Sequence, residues 1–509
     1  MHELTRYALD RYIQIVPNVQ APAHMAFVLK HKEFDHLRAD PASNFQVCMC
    51  NPEALNLIFD MYQDMIDATP GVDYFFVSTD EVYYAGSCGQ CEKPYNVENR
   101  SLAWAEFAIK AHDWMEERNR RMVAWVEYPL LAKDIHLLPG NIINAIGSDK
   151  AFFDKQKEIG MKQLSYSSIQ GSEYLFSNLF PAKLANISTT VLQRAADGAD
   201  LMGSFAAAWD DSGLHEEVFQ LGWATVTQYG WNPQGTTVEQ NVADFMDVFY
   251  GQNSPDMVPI YNLLSEGGQF YKTTWDKVKS KERGSSFGNS KGKGIGTDRS
   301  DELLILPELP QNGTLNISPK FREKYNELIA TAKDLKIKND DLVYRLNRYA
   351  GQVERNRYNL EVYLSIALLQ RNLINTIITL DAAEASLMLA KAASDEGNHS
   401  TAVAHMVEAS NQVKNNTDWG TWMWKNLTET WEKSRFEKGR SVNGRDYVFI
   451  MDDVKDHWAD RRKGLDYMIA PLQRMDMSGW HKRLNEQIKE YATKHNVPVS
   501  GLEEERLED

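Results

Sequence analysis

The stretch Val72-Asp73-Tyr74-Phe75-Phe76-Val77-Ser78-Thr79-Asp80-Glu81 decides how this chain is read. Its apolar run has the character of a buried strand, and it ends on two adjacent carboxylates. Such neighbours repel each other and resist losing water where a strand opens into a loop, so the pair suggests two groups with separate chemical roles. A solvated strand end is the plainer alternative, because Asp and Glu are ordinarily exposed and Asp favours turns.

Upstream, Tyr12-Ile13-Gln14-Ile15-Val16-Pro17-Asn18-Val19 reads as another buried strand, leading into a loop that carries His24. Downstream, Val123-Ala124-Trp125-Val126-Glu127 and Gly203-Ser204-Phe205-Ala206-Ala207-Ala208-Trp209-Asp210-Asp211 are again short apolar runs ending in aromatic and acidic residues. Polar and aromatic chemistry thus gathers at one end of several strands. A (β/α)8 barrel builds its active site in this way, at the C-terminal face of a ring of parallel strands.

On these motifs the chain resembles glycoside hydrolase family 20, the β-N-acetylhexosaminidases. Residues 13–24 follow the family's third-strand pattern, and Phe76 to Glu81 align with the ending of its fourth. Trp125-Val126-Glu127 and Trp209-Asp210-Asp211 match its fifth and eighth strand motifs. Gly160-Met161-Lys162-Gln163-Leu164-Ser165-Tyr166-Ser167, followed by Glu173-Tyr174-Leu175, resembles the seventh strand and the loop that supplies an active-site tyrosine. The resemblance covers residues 1–250 and implies a retaining glycosidase that removes terminal β-linked N-acetylhexosamine from glycans and requires no cofactor. In the mechanism it implies, the substrate's own 2-acetamido carbonyl attacks the anomeric carbon, outside the usual two-carboxylate scheme. Glu81 then protonates the leaving oxygen and later activates water, Asp80 orients the acetamide, and Tyr174 hydrogen-bonds its oxygen. His24, Trp125, Glu127, Trp209 and Asp211 fall to substrate binding. A carbohydrate-binding relative without turnover, and a hydrolase of different sugar or endo specificity, are the rival readings.

The chain departs from the family pattern at Phe76, where the family has histidine, and at Ser78-Thr79, where it has two glycines. Asn18 and Gln20 stand in place of acids, and Asp211 in place of Glu. Losing such neighbours alters how the carboxylates are oriented and charged. In the family, two barrel strands precede the one placed at residues 12–19, whereas residues 1–11 read as the tail of a helix. The expected fold is therefore a TIM-type (β/α)8 barrel, N-terminally incomplete with about six strands, followed by an α-helical bundle. A lost beginning would have carried any signal for export.

The composition, 509 residues with 43% hydrophobic content, supplies material for two or three domains. A net charge of -16 argues against a nucleic-acid partner, since that binding rests on basic patches. No uninterrupted apolar run approaches the ~20 residues of a membrane span. Four cysteines form two close pairs, Cys48 with Cys50 and Cys88 with Cys91, the second just beyond Asp80-Glu81. A structural zinc, two disulfides or free thiols all suit this spacing.

Residues 251–318 read as a linker and irregular segment; the Gly/Ser/Lys-rich part around Gly292-Lys293-Gly294 lacks the ending and the preceding strand of a phosphate loop. From residue 319 apolar residues recur at helical spacing, which predicts an antiparallel bundle of roughly six helices. Its Trp419, Trp422, Trp424 and Trp431 suit either a sugar platform or, at this spacing, the core.

Overall fold

Alternation along the strands sorts side chains onto two faces of one sheet. The computed structural model describes residues 1–29, 31–41, 43, 45–83, 85–92, 98–145, 149–169, 182–208, 215–271, 274, 304–434, 441–442, 445–446 and 475–503. Six strands, β1 (Asn18–Gln20), β2 (Tyr74–Ser78), β3 (Arg121–Ala124), β4 (Ile143–Asn144), β5 (Lys162–Ser168) and β6 (Leu201–Ala207), pair in chain order. Every pairing is parallel. Parallel neighbours need crossovers, and the helices α3 (Pro52–Ala68), α4 (Ser101–Glu116), α5 (Lys150–Glu158) and α6 (Ala182–Ala196) supply four of the five, a short 3-10 turn at Ala132–Leu137 lying between β3 and β4. Two shorter helices, α1 (His2–Leu9) and α2 (Ala26–Leu29), flank β1. Helix starts are written locally: Asn51 accepts from the Glu53 and Ala54 N–H groups with Pro52 behind it, and Asp149 accepts from Phe152 N–H.

On β2, Phe75 and Val77 face the helices and join a core with Ile58, Tyr62, Trp104 and Ala108. Tyr74 and Phe76 point the other way, into a cluster with Val123, Trp125, Ile143, Tyr166 and Phe205. The ring of Phe76 on β2 lies 5.8 Å from that of Phe205 on β6. Strands four places apart in a flat sheet would be ~19 Å apart at the usual strand spacing. The sheet is therefore strongly curved, an arc of a (β/α) barrel with its interior filled by aromatic side chains.

One strand is shorter than its sequence predicts. Residues 12–17 lie outside β1, with Tyr12 and Ile13 exposed. Apolar character alone suggested a buried strand there, but only Asn18 to Gln20 register against β2, with Pro17 adding one carbonyl to Phe76 N–H.

Beyond the arc come α7 (Gln220–Trp231), α8 (Val238–Tyr250), α9 (Val258–Tyr271), α10 (Lys320–Tyr349), α11 (Arg357–Asp395), α12 (His399–Glu432) and α13 (Met477–Lys494). One apolar cluster runs from Ile169 and Leu184 beside the sheet, through Phe219, Tyr250 and Tyr261, to Leu373 and Trp431. A second joins the far ends of α11 and α12 to α13. The hydroxyls of Tyr250, Tyr261 and Tyr363 link α8, α9 and α11 in a buried chain of 2.9 Å contacts. Helix α11 is long and apolar enough to cross a membrane by length and composition, although Arg371 and several amides interrupt its apolar run. Most of that apolar window is buried against other helices, as in the central helix of a bundle.

The bundle also buries carboxylates. Asp381 contacts Arg322 Nε at 2.6 Å and Lys333 Nζ at 2.9 Å. Glu384 on α11 accepts from the Phe321 and Arg322 N–H groups, capping α10 from a neighbouring helix. The Gly292 segment lies outside the described residues.

Candidate active site

Continuing the alternation past the ends of β2 and β3 carries two carboxylates to the same place. On β2 the inward parity passes from Phe76 through Ser78 to Asp80; on β3 it passes from Val123 through Trp125 to Glu127. Glu127 accepts a hydrogen bond from the Glu81 backbone N–H, so the strand ends are tied directly. From the loop after β1, His24 Nε2 approaches Asp80 Oδ2 at 3.0 Å and Glu81 Oε2 at 3.5 Å. Ser78 Oγ donates to Asp80 Oδ1 at 2.8 Å. Below them, Thr79 donates to the Trp125 carbonyl and Trp104 Nε1 donates to the Thr79 carbonyl, locking the turn to β3 and α4.

The turn is strained. Glu81 has φ 50° and His24 φ 55°, the left-handed region that non-glycine residues rarely enter. Each costs on the order of 1–3 kcal/mol and persists only where its surroundings hold it, a pattern concentrated at functional sites.

Charge is divided unevenly among the acids. Burial alone would lift the Asp80 carboxyl, but the His24 charge and hydrogen bonds from His24 and Ser78 together outweigh it and hold the group below the ordinary range. Burial pushes Glu127 up to about 7, helped by the negative charges of Asp80 and Glu81 and only partly offset by the Glu81 N–H. One carboxyl is thus favoured in its ionised form while a neighbour holds its proton up to about 7, the kind of separation that acid–base chemistry uses.

Two cross-links frame this mouth. Cys48 pairs with Cys88 and Cys50 with Cys91. The sequence expectation of a structural zinc is corrected here, because disulfide sulfurs have no thiolate to offer a metal. The bonds join the loop after Asp80-Glu81 to residues 45–50, and that segment in turn receives the His24 loop: Met25 N–H donates to the Phe45 carbonyl and Val47 N–H to the Pro22 carbonyl. Phe45 packs edge-on against the His24 ring at 4.8 Å. The pairing indicates an oxidising environment.

Of the residues singled out from sequence, His24, Asp80, Glu81 and Glu127 come together. Trp125 is close but only 3% exposed, wedged among Phe76, Tyr166 and Phe205, so it forms a floor beneath the carboxylates. Phe76, standing where the family has histidine, lies in the same buried layer. Tyr174, Trp209 and Asp211 lie outside the described residues. Sequence reading missed Ser78, whose signal was its parity with Asp80. It also missed Tyr83 and Tyr128, whose rings approach at 5.7 Å beside the two acidic turns, and Phe45, which arrives through the disulfide-linked loop and has no local signal.

A parallel arc with acids and a histidine at its C-terminal ends defines the class, a barrel-type domain with its polar groups gathered where such barrels carry their active sites. Residues 1–164 match Glycosyl hydrolase family 20, catalytic domain, and this part of the chain is a family-20-like domain. Hexosaminidase D of Bos taurus is 34% identical over 84 residues, which is 16% of this chain and 24% of that protein. Hexosaminidase D of Homo sapiens is 39% identical over 77 residues, 14% of this chain and 15% of that protein. The matches thus span at most a quarter of either curated relative. Among solved structures, a GH138 enzyme targeting pectin rhamnogalacturonan II shares 11% identity at a TM-score of 0.38, covering 89% of this chain and 66% of that one. A family 89 glycoside hydrolase from Clostridium perfringens shares 10% identity at a TM-score of 0.34, covering 87% and 47%.

Proposed function

We propose that this chain is a glycosidase that releases β-linked N-acetylhexosamine from the ends of glycans, with retention and with the substrate's acetamide as nucleophile. The contact of His24 with both Asp80 and Glu81, at the end of a strand inside the family-20-like segment, carries this reading. The acetamide oxygen bonds to the anomeric carbon as the bond to the leaving oxygen breaks, and Glu81 gives that oxygen its proton. Ionised Asp80, held in place by Ser78 and His24, accepts from the acetamide N–H and balances the positive charge that develops there. Water, losing a proton to Glu81, then opens the oxazolinium ring and regenerates the acetamide. Tyr174, Trp209 and Asp211 are assigned to the acetamide oxygen, the pocket wall and the sugar hydroxyls by their place in the family pattern. Glu127 acts as a positioning residue, its carboxyl fixing the strained Glu81 backbone.

Release of chromophore from an aryl N-acetyl-β-glucosaminide, and its inhibition by a thiazoline that mimics the cyclised acetamide, test the proposal. No release, with the thiazoline failing to bind, would overturn it. A second reading is favoured by Glu127, the carboxyl held near 7: that residue, and not Glu81, donates the proton. Comparing Glu81→Gln with Glu127→Gln on substrates of poor and good leaving groups separates the two, since only the true acid's loss depends on leaving group.

A further inference from the structure

The bundle holds a pocket of about 390 Å³ between α11, α12 and the start of α13, within the size range of small-molecule sites. Its apolar side is Leu369 and the half-buried indole of Trp424; its polar side is Asn372, Thr376, Asn416 and Thr421. The four tryptophans of α12 divide accordingly. Trp431 is fully buried core, Trp419 and Trp424 pack against the core, and Trp422 is 52% exposed.

Asn372 is the decisive residue. It is only 7% exposed, yet among the described residues its side-chain oxygen accepts no hydrogen bond, an arrangement a folded chain ordinarily avoids. Beside it Asn416 Nδ2 donates to Thr376 Oγ1 at 2.9 Å, and Thr376 Oγ1 donates to the main-chain carbonyl of Asn372 at 2.8 Å. Gly420 leaves the space open on that side, since a Cβ there would stand 3.3 Å from the Asn372 oxygen. The described lining contains no Lys or Arg, and its single acid, Asp476, is engaged by Arg483 at 2.9 Å. An ionic ligand would find no counter-charge. An aromatic wall facing amides and hydroxyls, which both donate and accept, suits a neutral ligand with apolar ring faces and hydroxyl edges.

We infer that this pocket is a second carbohydrate site, remote from the arc, that binds a neutral saccharide without acting on it. The inference stands independently of the proposed hydrolysis. It is tested on the full chain by tryptophan fluorescence and saturation-transfer NMR with cellobiose, maltose, xylobiose and diacetylchitobiose as probes. At least one should bind, and Thr421→Arg, which fills the mouth from an exposed helix position, and Asn372→Leu, which removes the amide, should each weaken that binding at least tenfold. Melting temperature and hydrolysis of the aryl glycoside should stay unchanged in Thr421→Arg. Absence of binding by all four probes, or binding that Thr421→Arg leaves intact in a folded protein, would overturn the inference.

Discussion

The arc and the bundle both draw carboxylates out of full contact with solvent, the bundle further than the arc, and they do so in opposite ways. In the bundle Asp381 meets two cations and Glu384 meets two backbone N–H groups, so each acid is matched by donors. At the mouth of the arc Asp80, Glu81 and Glu127 face one another, with His24 the cation-forming group between the first two. A buried acid surrounded by donors is an ordinary structural tie. Acids facing acids raise the energy of the ionised state, as at Glu127, and groups perturbed in this way cluster at functional sites. The contrast predicts that mutations at the mouth change turnover more than folding, and mutations in the bundle the reverse.

The largest effect expected is on Glu81→Gln, with a loss of ~10²–10⁴-fold in kcat/KM on glycosides with poor leaving groups and little loss on activated aryl glycosides. Equal loss on both removes Glu81 from the acid role. Asp80→Asn should cost ~10²-fold or more on both substrate classes, because the proposed mechanism needs the acetamide whatever the leaving group. Steady-state kinetics on a matched pair of substrates reads both, and unchanged melting temperatures would place these residues on the functional side of the comparison.

Next in size is reduction of the two disulfides. Closing a loop of about 40 residues contributes ~3–4 kcal/mol in the chain-entropy account. The second bond spans nearly the same segment, with separations of 40 and 41 residues, so it closes only a small additional ring. Cys88→Ser alone should therefore cost far less stability than removal of both bonds. Full reduction should abolish hydrolysis by freeing the His24 and Asp80 loops; retention of full activity in reductant would break the link drawn between cross-links and mouth.

In the bundle, Glu384→Ala leaves the Phe321 and Arg322 N–H groups without their acceptor, at a cost of about 1–3 kcal/mol in denaturant melts. The activity of the folded protein should be unchanged.

The smallest effect is a slope. Native Glu127 keeps its proton to about 7, whereas the unfolded chain releases it near 4.5, so the native state binds more protons between these values. Stability therefore falls as pH rises across that window, and Glu127→Gln should flatten the fall and melt higher than the parent at pH 8. Asp80 carries the opposite sign: its depressed value adds stability above its ordinary 3.8 that is lost in acid. A steeper slope in Glu127→Gln would contradict the protonated state assigned to that residue.

How much of this was legible depended on whether a feature is local. Asp80-Glu81, Trp125-Val126-Glu127 and the parallel arc were readable, because apolar runs with acidic ends are written in consecutive residues and the family resemblance gave their order as barrel strands. The two-residue β4 offers too little sequence for a pattern, and residues 12–17 look like a strand yet lie outside β1, with the Pro17 carbonyl bonded to Phe76 of β2. Disulfide pairing joins residues 40 apart and is not encoded in spacing. The burial of Trp125 depends on Phe205 arriving from the far side of the curved sheet. The protonation of Glu127 depends on neighbours from β2, and the tryptophans of α12 could be sorted into core and pocket only once α11 was seen to cover one side of that helix.

The left-handed backbone at Glu81 sets two incompatible demands on one position. Its torsion angle selects for glycine or asparagine, while the acid role proposed for it selects for a long carboxylic acid. In a saturation library scored for expression, position 81 should therefore look unfavourable as found, with Gly and Asn enriched above the parent residue. Scored for turnover, the same library should reverse that ranking completely. A position whose preferred alphabet inverts between two screens advertises its trade without any ligand in hand, and His24, with the same torsion and a different side chain, supplies the internal control.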